Sequence, residues 1–557
     1  MFPRGLFAVI AAGTLLSSAA CSSGEGTPPN PSPTTSPSSD SSSAAQAAAE
    51  LLAEMSRAEK IGQLFVPMAQ GTTAEANADL IADYHPGGLI YFPDSLVDTA
   101  QIADMSNGLQ ELAAAGGAGV PLLLGIDQEQ GMVARLPVGA HFPDAMAVGA
   151  TRDPDAAASL AATTAQELSA LGITLDYAPV ADVNVDPANP VIGIRSFGAE
   201  PELVADMVTA ETEAFAENGV ASAVKHFPGH GDTSVDSHTG LPEVDVSRQE
   251  WEEVHLPPFR RAVDAGADMI MTAHVVVPAL DDSGEPATLS PEILDGVLRD
   301  ELGYDGVVTT DALNMAGVRQ RYDDGEIAVR AVLAGADQLL MPPDLPAAHA
   351  AVTTAVEEGR ISLERLDASV RRILELKLRH GLDDAEPADP DRAAQTVGGA
   401  EHRAAAREVA EASVTLLRNS EEALPLEPGA AVSVQGSGKA AIGGELAKLG
   451  MEVVAAPAQA DVAVVGTSNA RGDAEQRALV RNAGREGVPV VVVAQGTPYD
   501  ITDLPDIDAY VATYSAVEVS RRAAARVLAG EVSPTGRLPV SIPGTDLEFG
   551  DGQGYPG

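Results

Sequence analysis

Along this chain, short apolar runs rich in β-branched residues recur between longer, Ala-rich stretches of mixed polarity. The runs are Ile61 to Val66, Gly88 to Phe92, Pro121 to Ile126, Leu175 to Val180, Ala221 to Val224, Ala267 to Thr272, Gly306 to Thr309 and Ala336 to Met341. Their hydrophobicity is continuous rather than alternating, which is the pattern of strands covered on both faces. Between most of them lie stretches of helical character, such as Asp155 to Leu171, Glu202 to Asn218 and Glu250 to Ala265. Strand and crossover helix repeated in this way build a parallel sheet, and eight repeats close it into a (β/α)8 TIM barrel. The fold class expected is α/β.

The barrel is expected over residues 46–382. Its last helix is marked by the stripe Leu363, Leu366, Val370, Ile373, Leu374 and Leu376, with Gly381 as a C-terminal stop. An acidic, Pro-containing stretch begins at Asp383, so residues 383–403 read as a linker. A smaller α/β sandwich domain is expected over 404–557, with strand-like runs at Ala431 to Val434, Ala463 to Val465 and Pro489 to Ala494.

Barrels of this kind carry their chemistry at the carboxyl ends of the strands, and several runs here end in a functional group. The third leads into Asp127-Gln128-Glu129, the fifth into Lys225-His226, the sixth into His274 and the seventh into Thr310-Asp311. After the fifth run the chain continues Phe-Pro-Gly-His-Gly-Asp-Thr-Ser-Val-Asp-Ser-His, with Gly229 and Gly231 where the backbone turns. Asp236 lies two residues from His238, and a carboxylate so placed can orient an imidazole and stabilise its charged form. That suits proton transfer near neutral pH. Two other readings of the segment are a polar surface loop and a metal site drawn from His226, His230, Asp232, Asp236 and His238. The metal reading lacks the helical His-x-x-x-His spacing or cysteine pairs that would carry it.

The stretch Lys225 to Pro242 closely resembles the signature of family 3 glycoside hydrolases, in particular their β-N-acetylglucosaminidase branch in its two-domain, Gram-positive-type lipoprotein form. The resemblance implies that Asp236 and His238 form the general acid/base dyad. Gly306 to Met315 looks like the family's nucleophile motif, which makes Asp311 the carboxylate that would attack the anomeric carbon of a retaining glycosidase. Ala312 stands where many relatives have a second acid. Asp127 matches the family's acceptor of sugar hydroxyls, with Gln130 in place of a common glycine. Arg135 and Arg195 fall on sugar-binding arginines, with Ile194 replacing a frequent polar residue, and Lys225 and His226 complete the implied pocket. Gly536 to Ser541 resembles the end of the family's C-terminal sandwich domain, so the resemblance covers most of the chain.

The implied activity is that of an exo-acting retaining β-N-acetylglucosaminidase (β-N-acetylhexosaminidase) releasing terminal N-acetylglucosamine from cell-wall fragments. It asks for no cofactor and no metal. The alternatives are a β-glucosidase or β-xylosidase of the same family, a phosphorylase, and a non-catalytic wall-binding lipoprotein. The barrel-borne dyad disfavours the first, because glucoside-acting relatives often carry the acid/base glutamate on the second domain. Intact Asp311, Asp236 and His238 oppose the last. An imidazole does not repel an incoming anion as a carboxylate would, so water and phosphate are both plausible acceptors, and the expected export of the chain favours water. Gly436-Ser437-Gly438-Lys439 lacks the spacing and trailing Ser/Thr of a P-loop, so nucleotide binding is not expected.

At the amino terminus Arg4 precedes the apolar run Leu6 to Leu16, too short to span a bilayer and suited to a signal peptide over residues 1–20. Ser18-Ala19-Ala20-Cys21 resembles a bacterial lipoprotein signal, which makes Cys21 the lipidated residue and the protein an exported, membrane-anchored one. Cys21 is the single cysteine of the chain, so no intrachain disulfide forms. Ser/Thr/Pro-rich residues 21–45 read as a disordered tether. With 81 acidic against 34 basic residues the formal charge is −47, which argues against nucleic acid or an anionic membrane face as a partner. The expected partner is a carbohydrate, and the expected state is a monomer.

Overall fold

The computed structural model describes residues 39–504 and 506–555. The expected signal peptide, Cys21 and most of the stretch read as a tether lie outside the described residues; from Ser39 onward that stretch is part of a helix, Ser39–Glu54.

Each of the eight apolar runs contains a strand. These are Phe65–Val66 (β1), Gly88–Ile90 (β2), Leu123–Ile126 (β3), Leu175–Asp176 (β4), Ala221–Phe227 (β5), Met269–Thr272 (β6), Val307–Thr309 (β7) and Leu339–Leu340 (β8). Strands β2 to β7 form one sheet in chain order, and β1 pairs in parallel with β8. Single parallel bridges, Met68 to Ile90 and Thr309 to Gln338, close the ring on either side of that pair. Neighbours in the chain are neighbours in the barrel, as short right-handed crossovers require.

Two strand boundaries differ from the sequence pattern for identifiable reasons. Ile61 is apolar but belongs to the helix Arg57–Gln63, because Ser56 and Glu59 form a reciprocal capping box that starts a helix there. Conversely β5 does not stop at Val224 but continues through Lys225 and His226 to Phe227. Lys225 and His226 persist in this buried strand because each meets a carboxylate from a nearby strand end, as described below. The peptide bonds Lys225–His226 and Phe227–Pro228 are cis.

The outer helices follow the expected stretches: Pro154–Ala170, capped by Asp153 with proline in the first turn, and Pro201–Glu217. A third runs from Arg248 to Asp264 with a π-helical turn at Trp251–His255. The segment 383–403 includes the helix Pro390–Thr396 and the start of the helix Ala400–Ser413. It lies along the barrel. Asn107 exchanges two 2.8 Å hydrogen bonds with the backbone of Ala388, and His402 Nδ1 lies 2.8 Å from Glu167 Oε1.

The second domain holds a six-stranded sheet of Thr415–Asn419 (β9), Ala431–Gly436 (β10), Glu452–Val454 (β11), Val462–Thr467 (β12), Val490–Ala494 (β13) and Ala509–Ala512 (β14). Their order is β9-β14-β13-β12-β10-β11, parallel except where β9 meets β14. Val491 and Val493 face a core shared with the helices Lys439–Lys448 and Glu518–Leu528. Val490 and Val492 face the other way, into a cluster that includes Met146, Ala147 and Ala150 of the barrel-domain helix Ala145–Thr151. One face of this sheet is therefore packed against the barrel domain. The contact continues where Ala199 N donates to Pro539 O at 3.0 Å and Arg537 N to Ala150 O at 2.8 Å.

Candidate active site

The carboxyl ends of β3, β5 and β7 and the loop after β4 surround a cavity of about 300 Å³. Asp127, Arg135, Arg195, Lys225, His226, His238 and Asp311 all line it, together with Glu129, His230, Ser237 and the apolar side chains Phe92, Val133, Val191, Ile192 and Met315. Asp236 stands behind His238, and His274 is buried below the cavity, with Nε2 3.1 Å from Ala312 O.

On one side is a buried charge network. Lys225 Nζ lies 2.8 Å from Asp127 Oδ1 and 2.6 Å from Glu129 Oε1. Arg195 grips the same glutamate with two bonds, Nη2 to Oε1 at 2.7 Å and Nε to Oε2 at 2.8 Å, and its Nη1 donates to Val191 O. Burial alone would push the Glu129 carboxyl up, but the adjacent Arg195 and Lys225 outweigh it and hold the group well below the usual range. Desolvation likewise works against the Lys225 ammonium, and Asp127 and Glu129 reverse it, leaving its pKa raised. Asp127, with side-chain exposure of 19% against 7% for Glu129, is the carboxylate open to a ligand.

Arg135 is placed differently. Its guanidinium carbon sits 5.4 Å from the centre of the Phe92 ring, and its buried Nε has no hydrogen-bond partner among the described residues. Gln130, in the turn between Glu129 and Arg135, adopts the left-handed conformation usual for glycine, with φ of 72°. Its side chain holds the turn, donating to Thr164 Oγ1 at 2.9 Å and accepting from Phe142 N at 3.2 Å.

Three imidazoles have three different environments. His226 Nδ1 lies 2.7 Å from Oδ2 of the fully buried Asp182. Burial raises the Asp182 carboxyl, but His226 and His230 bring it below the ordinary value, so the carboxylate is ionised and His226 Nδ1 carries the proton. The Nε2 edge is then left for the cavity. His230 is buried between Thr233 and Ser237, and desolvation pushes it down to about 4. His238 is the exposed one, its side chain 60% accessible, with Nδ1 2.8 Å from Asp236 Oδ1. The same oxygen accepts the His238 backbone N–H at 2.8 Å. These bonds to His238 outweigh burial and lower the Asp236 pKa.

Asp311 lies at the end of β7, with Oδ1 accepting Ala312 N–H at 2.7 Å. Burial raises its carboxyl, but His274, His226, this N–H and Lys225 bring the pKa below the usual 3.8. It is an anionic, half-buried carboxylate facing the cavity, the state a nucleophile needs. Among the described residues no three His, Cys, Asp or Glu side chains converge as a metal site would require. His226 and His230 are committed to Asp182, Thr233 and Ser237.

Sequence reasoning put Glu129 on the rim without giving it a role and missed Asp182 as part of this site. Glu129 stands two residues after Asp127, the spacing that returns a side chain to the same face of an extended chain. Asp182 is a lone acid just past the fourth run. Neither position reveals its partner, which lies 66 residues away for Glu129 and Arg195 and 44 for Asp182 and His226.

Removing the Glu129 charge tests the network. Glu129→Gln leaves Arg195 and Lys225 buried with too little countercharge, a change that typically costs about 3–5 kcal/mol. The Glu129 pKa is depressed on folding, so its contribution is present in full above the ordinary value of 4.5 and fades as pH falls through the lower folded value. Urea unfolding of the variant should show a large deficit at pH 7 that narrows only below pH 4.5. Equal stability of the two proteins at pH 7 would contradict the network.

Comparison with known proteins agrees with this architecture. The Glycosyl hydrolase family 3 N terminal domain matches residues 57–376, and the Glycosyl hydrolase family 3 C-terminal domain matches residues 414–555. The chain belongs to glycosyl hydrolase family 3. It is 39% identical over 380 residues to Beta-hexosaminidase A of Pseudoalteromonas piscicida, a match covering 64% of this chain and 63% of that protein. It is 34% identical over 394 residues to Beta-hexosaminidase LpqI of Mycobacterium tuberculosis, covering 68% of this chain and 97% of the relative. A glycoside hydrolase family 3 β-N-acetylglucosaminidase from Paenibacillus sp. str. FPU-7 superposes with a TM-score of 0.81 at 38% identity, over 88% of this chain and all of that one.

Proposed function

We propose that the protein is an exo-acting retaining β-N-acetylglucosaminidase that removes terminal N-acetylglucosamine from cell-wall fragments. The observation that carries the reading is an ionised Asp311 in the same small cavity as an imidazole oriented by Asp236. Two groups suffice for a double displacement. Asp311 attacks the anomeric carbon while His238 Nε2–H protonates the leaving oxygen, and Asp236 stabilises the imidazolium beforehand. Water then attacks the anomeric carbon of the glycosyl ester, giving its proton to the neutral imidazole and freeing Asp311. Asp127, Arg135, Arg195, Lys225 and His226 would hold the sugar, and a cavity of about 300 Å³ has room for one terminal residue. The names of the relatives, β-hexosaminidase and β-N-acetylglucosaminidase, support the acetamido preference. Export and anchoring through Cys21 belong to the same proposal.

The test is to assay the purified protein against nitrophenyl N-acetylglucosaminide, glucoside and xyloside, with and without phosphate. The expected result is turnover of the N-acetylglucosaminide with retention of configuration and free sugar as product. Preference for glucoside, or sugar 1-phosphate as the main product, would overturn it.

A further inference from the structure

The dyad stands on the loop between β5 and the helix that starts at Arg248, and that loop has a fixed base. Gly231 passes so close to the loop after β4 that a Cβ on it would lie 1.9 Å from Val183 O. His230 N donates to Asp182 Oδ1 at 2.7 Å, and Asn189 Nδ2 donates to His230 O at 2.9 Å. Above this base, Asp236 and His238 have side chains 32% and 60% exposed, yet Ser237 between them is 1% exposed. Its hydroxyl lies 2.9 Å from His230 Nε2, and its carbonyl accepts Gly317 N at 3.0 Å. Ser237 is thus the point where the dyad loop meets both its own base and the segment that follows Asp311.

We propose that the His230–Ser237 hydrogen bond is a latch that fixes the Asp236–His238 dyad over the sugar site, making His230 and Ser237 positioning residues for the general acid. The inference rests on the reading of His238 as that acid. Neither latch residue enters the bond changes. Burial keeps the His230 ring neutral, so one ring nitrogen donates and the other accepts, and the two hydroxyls on either side can serve both. A dyad whose loop kept only the Gly317 N–H to Ser237 O bond would sample positions away from the leaving oxygen, and a displacement of about 1 Å can cost about 10²-fold in rate.

The experiment compares Ser237→Ala, His230→Phe, the double variant and His238→Ala on an N-acetylglucosamine disaccharide and on a dinitrophenyl glycoside that departs without a proton. Ser237→Ala is expected to lower kcat on the disaccharide by about 10- to 100-fold while changing the activated substrate by less than about threefold and KM hardly at all. The double variant should be no worse than the poorer single one, since both break one bond. A uniform loss on the two substrates, no loss, or additive losses would overturn the latch. Ser237→Ala decides the question by itself should His230→Phe fail to fold, with circular dichroism reporting the fold. If His238→Ala shows no preference between leaving groups, the acid assignment fails instead of the latch.

Discussion

Asp311→Ala is expected to abolish turnover of every glycoside, activated or not, while the protein keeps its fold. Among the described residues no other carboxylate in the cavity is free of a side-chain ion pair. Asp127 and Glu129 are bound to Lys225, and Asp182 is bound to His226. The loss should be on the order of 10⁴- to 10⁶-fold in kcat, the range seen when one member of a catalytic unit is removed. Stability at pH 7 should fall slightly or stay level, because the pKa is lowered on folding: His274, His226, the Ala312 N–H and Lys225 together outweigh desolvation, so the ionised side chain is favoured in the folded state. The measurement is kcat on nitrophenyl and disaccharide substrates beside a thermal unfolding curve. Substantial activity in a folded variant would remove Asp311 from the mechanism.

His238→Ala should produce a different pattern, because a general acid matters in proportion to how badly the leaving group needs a proton. A disaccharide, whose aglycone leaves as an alkoxide unless protonated, should slow by about 10² to 10⁴. A dinitrophenyl glycoside should be affected far less, and its glycosyl-enzyme should accumulate, since the same imidazole serves as base for the second step. Asp236→Ala should show the same pattern more mildly: it removes the bond that orients Nδ1 and the charge that stabilises the imidazolium, but leaves the imidazole. The 60% exposure of His238 matters here, because a solvated ring can find water as a substitute partner for Nδ1. Equal losses across leaving groups would mean that the dyad binds or shapes the loop, and the acid would have to be sought on the second domain.

The positions of the candidate groups were legible because each is local. Asp127, Lys225, His226 and Asp311 follow or end apolar runs that could only be buried strands, and a barrel presents such ends on one rim. The Asp236–His238 pair is legible for the same reason, being two residues apart. The segment 383–403 shows the limit of composition: it is acidic and contains proline, yet Asp389 caps a helix whose Ala393 is buried against the barrel. The end of β5 shows another. Hydropathy ends the strand at Val224, whereas the strand runs on because Lys225 and His226 find carboxylate partners inside.

What the sequence by itself determined is the class of fold and the rim of candidate groups, since periodicity, caps and turns act over a few residues. What only the tertiary structure decided is how those groups are divided between chemistry and support. Lys225 meets Asp127 across 98 residues, Arg195 meets Glu129 across 66, and His226 meets Asp182 across 44. No local signal sets such pairings. They exist because closing the barrel brings the ends of β3, β4 and β5 within a few ångströms in a place with little water, where an unpaired charge is costly and each ion must find a partner. With those groups paired, Asp311 is ionised and half-buried at the cavity, and His238 is exposed and oriented.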